Sequence, residues 1–436
     1  MILRLVRSLL KIGDNMRVLC CLLLLWSVLL SGCGESKEDA VAPIKKLDEA
    51  VTLDGDAPAT KELEAAAVIL NKKSNGASSS SETTLLTKES QDAAVAAIKE
   101  LGGMVGFNPL RRWKNSPVKP VMSVTCGRKM TDTDLVHLKG MSRLQYLTLN
   151  NSSVTDAGLV YLKGLVGLET LDLTDTSVTG VGLIHLQELR RLRYLNLTDT
   201  RVTDAELIHL KGLISLKTLY LQKTKVTDAG LVHLKELTNL RQLSLRVTSV
   251  TDAGLVHLMG MTNLETLSLT YTSVTDTGLV RLKGLTNLQS LSLGNVKVTD
   301  AGLVHLKGMT NLQMLYLGSS VTNAGLMHLT GLTSLKGLHL GSTQVTDAGL
   351  VNLKDLTNLQ SLTLVNTTVT DAGLEHLKGM TSLQYLQLDQ TDVTDTGLRH
   401  LKGLTSLKYL FLMNTQVTDA GVKDLQSALP KCKIHK

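Results

Sequence analysis

The sequence predicts an α/β solenoid: an arc of about twelve repeats, with a parallel sheet on its concave side and helices on its convex side. Three observations carry that expectation. A segment of the form Val-Thr-Asp-Ala-Gly-Leu recurs along the chain, and the apolar period changes from three to two within each repeat. The composition is also skewed, with 43% of the 436 residues hydrophobic but only 3% aromatic. A core built almost wholly of leucine points to one packing unit copied many times.

The recurring segment starts at Met130, Val154, Val178, Val202, Val226, Val250, Val274, Val298, Val321, Val345, Val369, Val393 and Val417. The spacing is 24 residues, except for 23 between Val298 and Val321, which gives thirteen starts and twelve complete units. Its threonine (Thr155, Thr179, Thr203 and their equivalents) stands where a helix needs an N-cap, and the aspartate after it suits the positive end of the helix dipole. Leu159 and Leu162 then turn one helical face inward, and Gly164 is suited to ending the helix. Leu168, Leu171 and Leu173 follow with the alternation of a strand whose leucines point into the core. Each fully buried leucine stabilises by about 1.5–3 kcal/mol. No single unit can bury its own aliphatics, so the units must stack.

This pattern resembles the leucine-rich-repeat family, whose signature is L-x-x-L-x-L-x-x-N/C-x-L. The resemblance covers about 130–436, with Leu-Pro-Lys-Cys-Lys at 429–433 similar to a C-terminal cap. The Thr-Asp-x-Gly-Leu helix start is similar to the cysteine-containing subclass. One departure is clear: the Asn/Cys position carries Ser152, Thr176, Thr200 or Thr224, whose hydroxyls can still bond the turn backbone. The resemblance implies strands about 4.8 Å apart facing helices about 8–10 Å apart, a mismatch that bends the stack. Twelve strands then give a concave path of roughly 55 Å.

The N-terminus reads as an address. Met16-Arg17 precedes an apolar run, Val18 to Leu30, which is shorter than the roughly 20 residues a spanning helix needs. Leu30-Ser31-Gly32-Cys33 resembles a bacterial lipoprotein processing site, which implies lipidation at Cys33 and a membrane-anchored protein of the cell envelope; residues 1–15 add nothing such a signal needs, which leaves Met16 as a start beside Met1. The expected organisation is a signal at 1–33, a flexible tether at 34–87, an N-terminal cap at 88–128, repeats at 129–422 and a C-terminal cap at 423–436. The tether includes the low-complexity run Ser74 to Thr84. In the cap, Ala94, Val95, Ile98 and Leu101 share one helical face, with Gly102-Gly103 as a stop.

Because the repeats are near copies, the informative residues are those that differ. The outward strand positions and their rim carry Tyr146, Tyr194, Tyr220, Tyr271, Tyr316, Tyr385 and Tyr409, plus Phe411; only Tyr161 of the eight tyrosines lies on the helix side. Exposed tyrosine is typical of recognition surfaces. Asp172 and Asp199 in early repeats and Arg246 in the middle add a graded charge. The expected partner is a protein on the concave face, with cell-wall polysaccharide as the alternative.

Other chemistry is expected to be absent. A net charge of +7 spread along the chain gives no nucleic-acid patch. No Gly-rich phosphate loop, HExxH or GxSxG occurs, so no catalytic residues and no cofactor are expected. Nine histidines, including His137, His185 and His209, share one repeat position, but on separate helices they read as a copied surface residue and not as a metal site. Lys139, Lys163, Lys211 and Lys235 read as a solvated convex face, with anionic lipid heads or wall polymers as the other contact. Cys126 and Cys432, at opposite ends of the array, cannot pair.

Overall fold

A computed structural model describes residues 87–107 and 119–436. The expected signal, lipidation at Cys33 and tether up to Leu86 fall outside the described residues. Within them, fifteen strands form one sheet in sequence order. The first pair, β1 (Met104–Phe107) and β2 (Val121–Thr125), is antiparallel. Every later pairing is parallel, from β3 (Tyr146–Thr148) to β15 (Lys433–His435). The twelve repeat strands β3 to β14 (Tyr409–Phe411) are therefore extended at both ends by strands of the caps. Among the described residues no helix is long and apolar enough to cross a membrane.

Each repeat strand is three residues long, with a fully buried leucine at its centre, as in Thr170-Leu171-Asp172. Pairing is in register, Leu to Leu, so Leu171, Leu195, Leu219 and Leu243 form one buried row. The convex side differs from the expected helices. Six repeats have one four-residue α-turn followed by a 3-10 turn, such as Asp156–Leu159 and Val160–Leu162, and four have a 3-10 turn alone, such as Val181–Leu186. Gly164 (φ +91°) ends one of them, as its sequence position suggests.

The caps close the two ends. Helix Lys88–Glu100 starts at Thr87, whose side chain accepts from Ser90 N, and lays Ala94, Val95 and Ile98 on the core. Gln91 Nε2 donates to Lys119 O at 2.8 Å, which satisfies a buried amide. At the far end a ten-residue helix, Asp419–Ala428, runs through position 422 and leads into β15. Cys126 and Cys432 are both buried and free. Burial, with Asp134 nearby, pushes the Cys126 thiol up to about 12, and burial alone pushes Cys432 to about 11.

The conserved-looking aspartate does more than meet a helix dipole. Asp228 Oδ1 accepts from Thr251 N at 2.7 Å and its Oδ2 from Thr251 Oγ1 at 2.6 Å, one repeat further on. The same two bonds join Asp252 to Thr275 and Asp276 to Thr299. Each carboxylate thus ties two repeats together with charge-assisted hydrogen bonds. The glycine of the motif follows from it: a Cβ at Gly254 would press on Asp228 Oδ1.

Two repeats demonstrate the coupling. Gly180 stands where the aspartate should be, and the glycine one repeat later is Glu206. Glu206 then bonds Thr203 Oγ1 from within its own repeat, at 2.5 Å. In the first repeat Asp134 occupies the glycine position and takes Thr131 N and Oγ1 at 2.9 and 2.7 Å. The carboxylate moves, and the threonine stays satisfied. These exceptions also correct the uniform N-cap expected of the thirteen threonines: Thr131, Thr179, Thr203 and Thr346 donate to or accept from other groups instead.

The hydroxyl in the Asn/Cys position works as expected. Thr176 Oγ1 donates to Leu173 O at 2.7 Å, and Thr200, Thr224, Thr248 and Thr272 repeat that bond. Val296 breaks the row and is buried in its place. The shortened unit follows directly: Val321 N donates to Gly318 O in a tighter turn. The rung made elsewhere by the turn residue, such as Tyr271 N to Gly294 O at 3.0 Å, has no counterpart at Asn295. Strand register is nevertheless kept, since Met314 pairs with Ser290 and Gly337.

Candidate functional site

The concave surface consists of the first and third residues of each strand, because the central leucine points inward. Six of the expected residues occupy those strand positions as aromatic side chains: Tyr146, Tyr194, Tyr220, Tyr316, Tyr385 and Tyr409, joined by Phe411. Tyr271 does not. It follows β8 (Thr266–Ser268) in a left-handed turn, φ +58°, and so sits on the rim. Asp199 occupies the same turn position after the strand Tyr194–Asn196 (φ +57°), whereas Asp172 ends β4 (Thr170–Asp172).

The rings gather into groups. On β5 (Tyr194–Asn196) and β6 (Thr218–Tyr220), Tyr194 and Tyr220 meet edge to face, centroids 5.6 Å apart. Asn196 Nδ2 donates to Tyr194 Oη at 3.3 Å, and Tyr220 Oη donates to Gln242 Oε1 at 3.0 Å. Burial, with Asp172 as a second contributor, raises the Tyr194 phenol above its ordinary value. On β10 (Met314–Tyr316) and β11 (Gly337–His339), Tyr316 and His339 stack at 4.0 Å, nearly parallel. Burial lowers His339 below the usual imidazole range, so it favours the neutral ring. The last group spans β13 (Tyr385–Gln387) to β15: Tyr385 leans on Phe411 at 5.1 Å, Phe411 stacks on His435 at 4.7 Å, and Lys433 Nζ lies over Tyr409.

Between the first two groups the surface drops to short hydroxyl side chains. β7 (Gln242–Ser244), β8 and β9 (Ser290–Ser292) offer Ser244, Thr266, Ser268, Ser290 and Ser292. The aromatic groups therefore stand as posts beside a low polar floor. Along the edge where the strands begin runs a groove of about 730 Å³, lined by Arg241, Glu265, Gln289, Gln313, Lys336 and Gln360 among others.

The charges expected to grade this face are held locally. Asp172 Oδ1 accepts from Thr174 N and Oγ1 at 2.9 and 2.6 Å, which fixes its own turn. Asp199 pairs with Lys223 at 3.0 Å, and Arg246 sits 5.3 Å from the Tyr271 ring centroid. Each contacts a neighbour and Asp199 is paired with an opposite charge, so aromatic relief distinguishes this face more than these charges do.

Sequence reasoning missed His339, Lys433 and His435. His339 was detectable: Leu338-His339-Leu340 places it at the strand position that Tyr316 holds one repeat earlier. His435 was not, because the cap gives no repeat signal for a fifteenth strand. Tyr161 packs against the core from the convex side, as its position implies. Among the described residues no group of three His, Cys, Asp or Glu side chains converges as metal ligands would.

Comparison with known proteins agrees with this architecture. Residues 142–202 and 357–417 match a leucine rich repeat model, and 260–283 match a second one. No curated protein sequence matches the chain. Among solved structures, an internalin from Listeria monocytogenes is similar at 23% identity and a TM-score of 0.57, covering 82% of this chain and 99% of that one. A leucine-rich-repeat protein of Leptospira interrogans is similar at 19% identity and a TM-score of 0.50, covering 69% and 80%. With its leucine-centred parallel strands, single-turn convex elements and capped ends, the chain folds as a leucine-rich-repeat solenoid.

Proposed function

We propose that the chain is a non-catalytic scaffold that binds a protein partner on its concave sheet, displayed on the cell envelope by a lipid on Cys33. The observation that carries the binding site is the contrast between strand positions. The inward position is leucine in every repeat strand, while the outward positions hold seven of the chain's twelve aromatic side chains, most of them grouped into posts beside a hydroxyl floor. Aromatic anchors of this kind supply most of the energy in protein interfaces, and short polar side chains beside them let a partner's backbone approach closely. The similar solenoids support the scaffold reading at the level of fold.

Photo-crosslinking tests the site. A crosslinking phenylalanine analogue at Ser268 on the floor is expected to capture one partner from envelope extract. The same group at Lys235 on the convex side is expected not to. Equal capture at both positions would remove the concave face from the account. The anchor has its own test: radiolabelled palmitate is expected to enter the full chain and to be lost in Cys33→Ala.

A further inference from the structure

The convex side carries an exposed apolar stripe that the concave-face reading does not use. In ten consecutive repeats the residue directly after the motif leucine is aliphatic and open to solvent: Val136, Val160, Ile184, Ile208, Val232, Val256, Val280, Val304, Met327 and Val351. Their exposures run from 37% to 55%, although the leucines on either side of each are buried. The column ends abruptly, with Glu375 and Arg399 in the next two repeats. Monomeric proteins rarely expose contiguous apolar surface of this kind without a use for it.

Copying alone does not account for the column. Its members differ, as Val, Ile or Met, yet all stay apolar. The position one residue on varies in chemistry, with Tyr161, Arg281 and Asn352 among its histidines. Three residues after the stripe, seven of the ten repeats carry an exposed lysine (Lys139, Lys163, Lys211, Lys235, Lys283, Lys307 and Lys354), with Gln187, Met259 and Thr330 in the others. Lys211 is paired with Glu236; among the described residues no ion pair engages the other six. The surface therefore presents an apolar ridge beside a row of ammonium groups.

That pairing selects an occupant. A protein partner wants aromatic anchors and pockets at the centre of its contact. This ridge is one residue wide, shallow and aliphatic. An anionic bilayer asks for just these features, since short apolar side chains enter the headgroup boundary while lysines meet the phosphates. We propose that the convex face between Val136 and Val351 docks on an anionic lipid surface, a few neighbouring repeats at a time because the arc curves away from a flat bilayer, which would turn the concave sheet away from the membrane. This surface is separate from the concave binding site, and neither depends on the other.

The test places an indole on the stripe. The full chain carrying Ile208→Trp is mixed with vesicles of phosphatidylglycerol and phosphatidylcholine with brominated acyl chains, and emission of the unsubstituted chain, which holds Trp26 and Trp113, is subtracted. The expected result is a blue-shifted added emission that the bromines quench, absent with phosphatidylcholine alone. A second variant, Lys163→Glu/Lys235→Glu/Lys283→Glu, is expected to weaken the partitioning of that indole by about tenfold or more, given the contribution of each lysine near a charged surface. An indole that stays in water on vesicle-bound protein would overturn the proposal, as would absence of binding or equal quenching in both lipids. A blue shift that grows with protein concentration without lipid would also overturn it and assign the stripe to a second copy of the chain.

Discussion

On the turn side of the array, Asp228, Asp252 and Asp276 each make the same two bonds to a threonine one repeat on. On the concave side, the third positions of three successive strands, β6 to β8, carry Tyr220, Ser244 and Ser268. Both sides rest on one leucine core, yet one repeats its chemistry and the other changes it. The difference separates two jobs. Residues that hold neighbouring units together must fit both neighbours, so a change at Gly180 is answered at Glu206. Residues that face solvent across the sheet meet their neighbours only in local groups, such as Tyr194 with Tyr220, and their variety is available for recognition.

Substitutions can break or sharpen that contrast. The largest loss is expected where both sides share the core. Leu267→Ala, at a fully buried position in β8, should cost about 2–5 kcal/mol, read as a lower urea midpoint. Removing one rung should cost less: Asp252→Ala leaves Thr275 N and Oγ1 without their partner, about 2 kcal/mol, because the site is partly open to water. Thr272→Val removes the hydroxyl bond to Leu269 O and should cost about 1 kcal/mol. The Val296 site shows that the fold tolerates this change.

A smaller effect of opposite sign is expected at Asn323. There the amide replaces the carboxylate, and Asn323 Nδ2 donates to Thr346 Oγ1 at 2.8 Å. Thr346 makes no side-chain cap bond, unlike Thr322, which accepts from Ala324 N at 3.2 Å. Asn323→Asp should reverse the hydrogen bond, free the threonine oxygen to cap, and gain up to about 1 kcal/mol. No gain in the midpoint would show that the rung, and not the cap, sets the stability of each turn.

What was legible in the sequence follows the same divide. The leucine period, the threonine hydroxyl bond and the stacking were readable, because each is a local pattern repeated many times. The partner of Asp228 was not, since its threonine lies one repeat away and the pattern within one unit suggests only a helix dipole. The convex helices were read as longer than they are: leucines three apart fit an α-helix and a 3-10 turn alike. On the concave face the strand register located the aromatic positions, but their grouping depends on side-chain rotation. The Tyr194–Tyr220 edge contact and the Phe411–His435 stack needed the folded chain.

The central claim is that the varied side binds and the repeated side builds. A crosslinking pull-down from envelope extract, using the full chain beside its Tyr194→Ala/Tyr220→Ala/Tyr385→Ala variant, tests it most directly. The expected result is a protein captured by the parent and lost with the variant, while the variant, substituted at three half-buried side chains, still unfolds in one cooperative step at a urea concentration close to the parent's. Equal capture by the two chains, or loss of capture together with loss of the fold, would contradict the account.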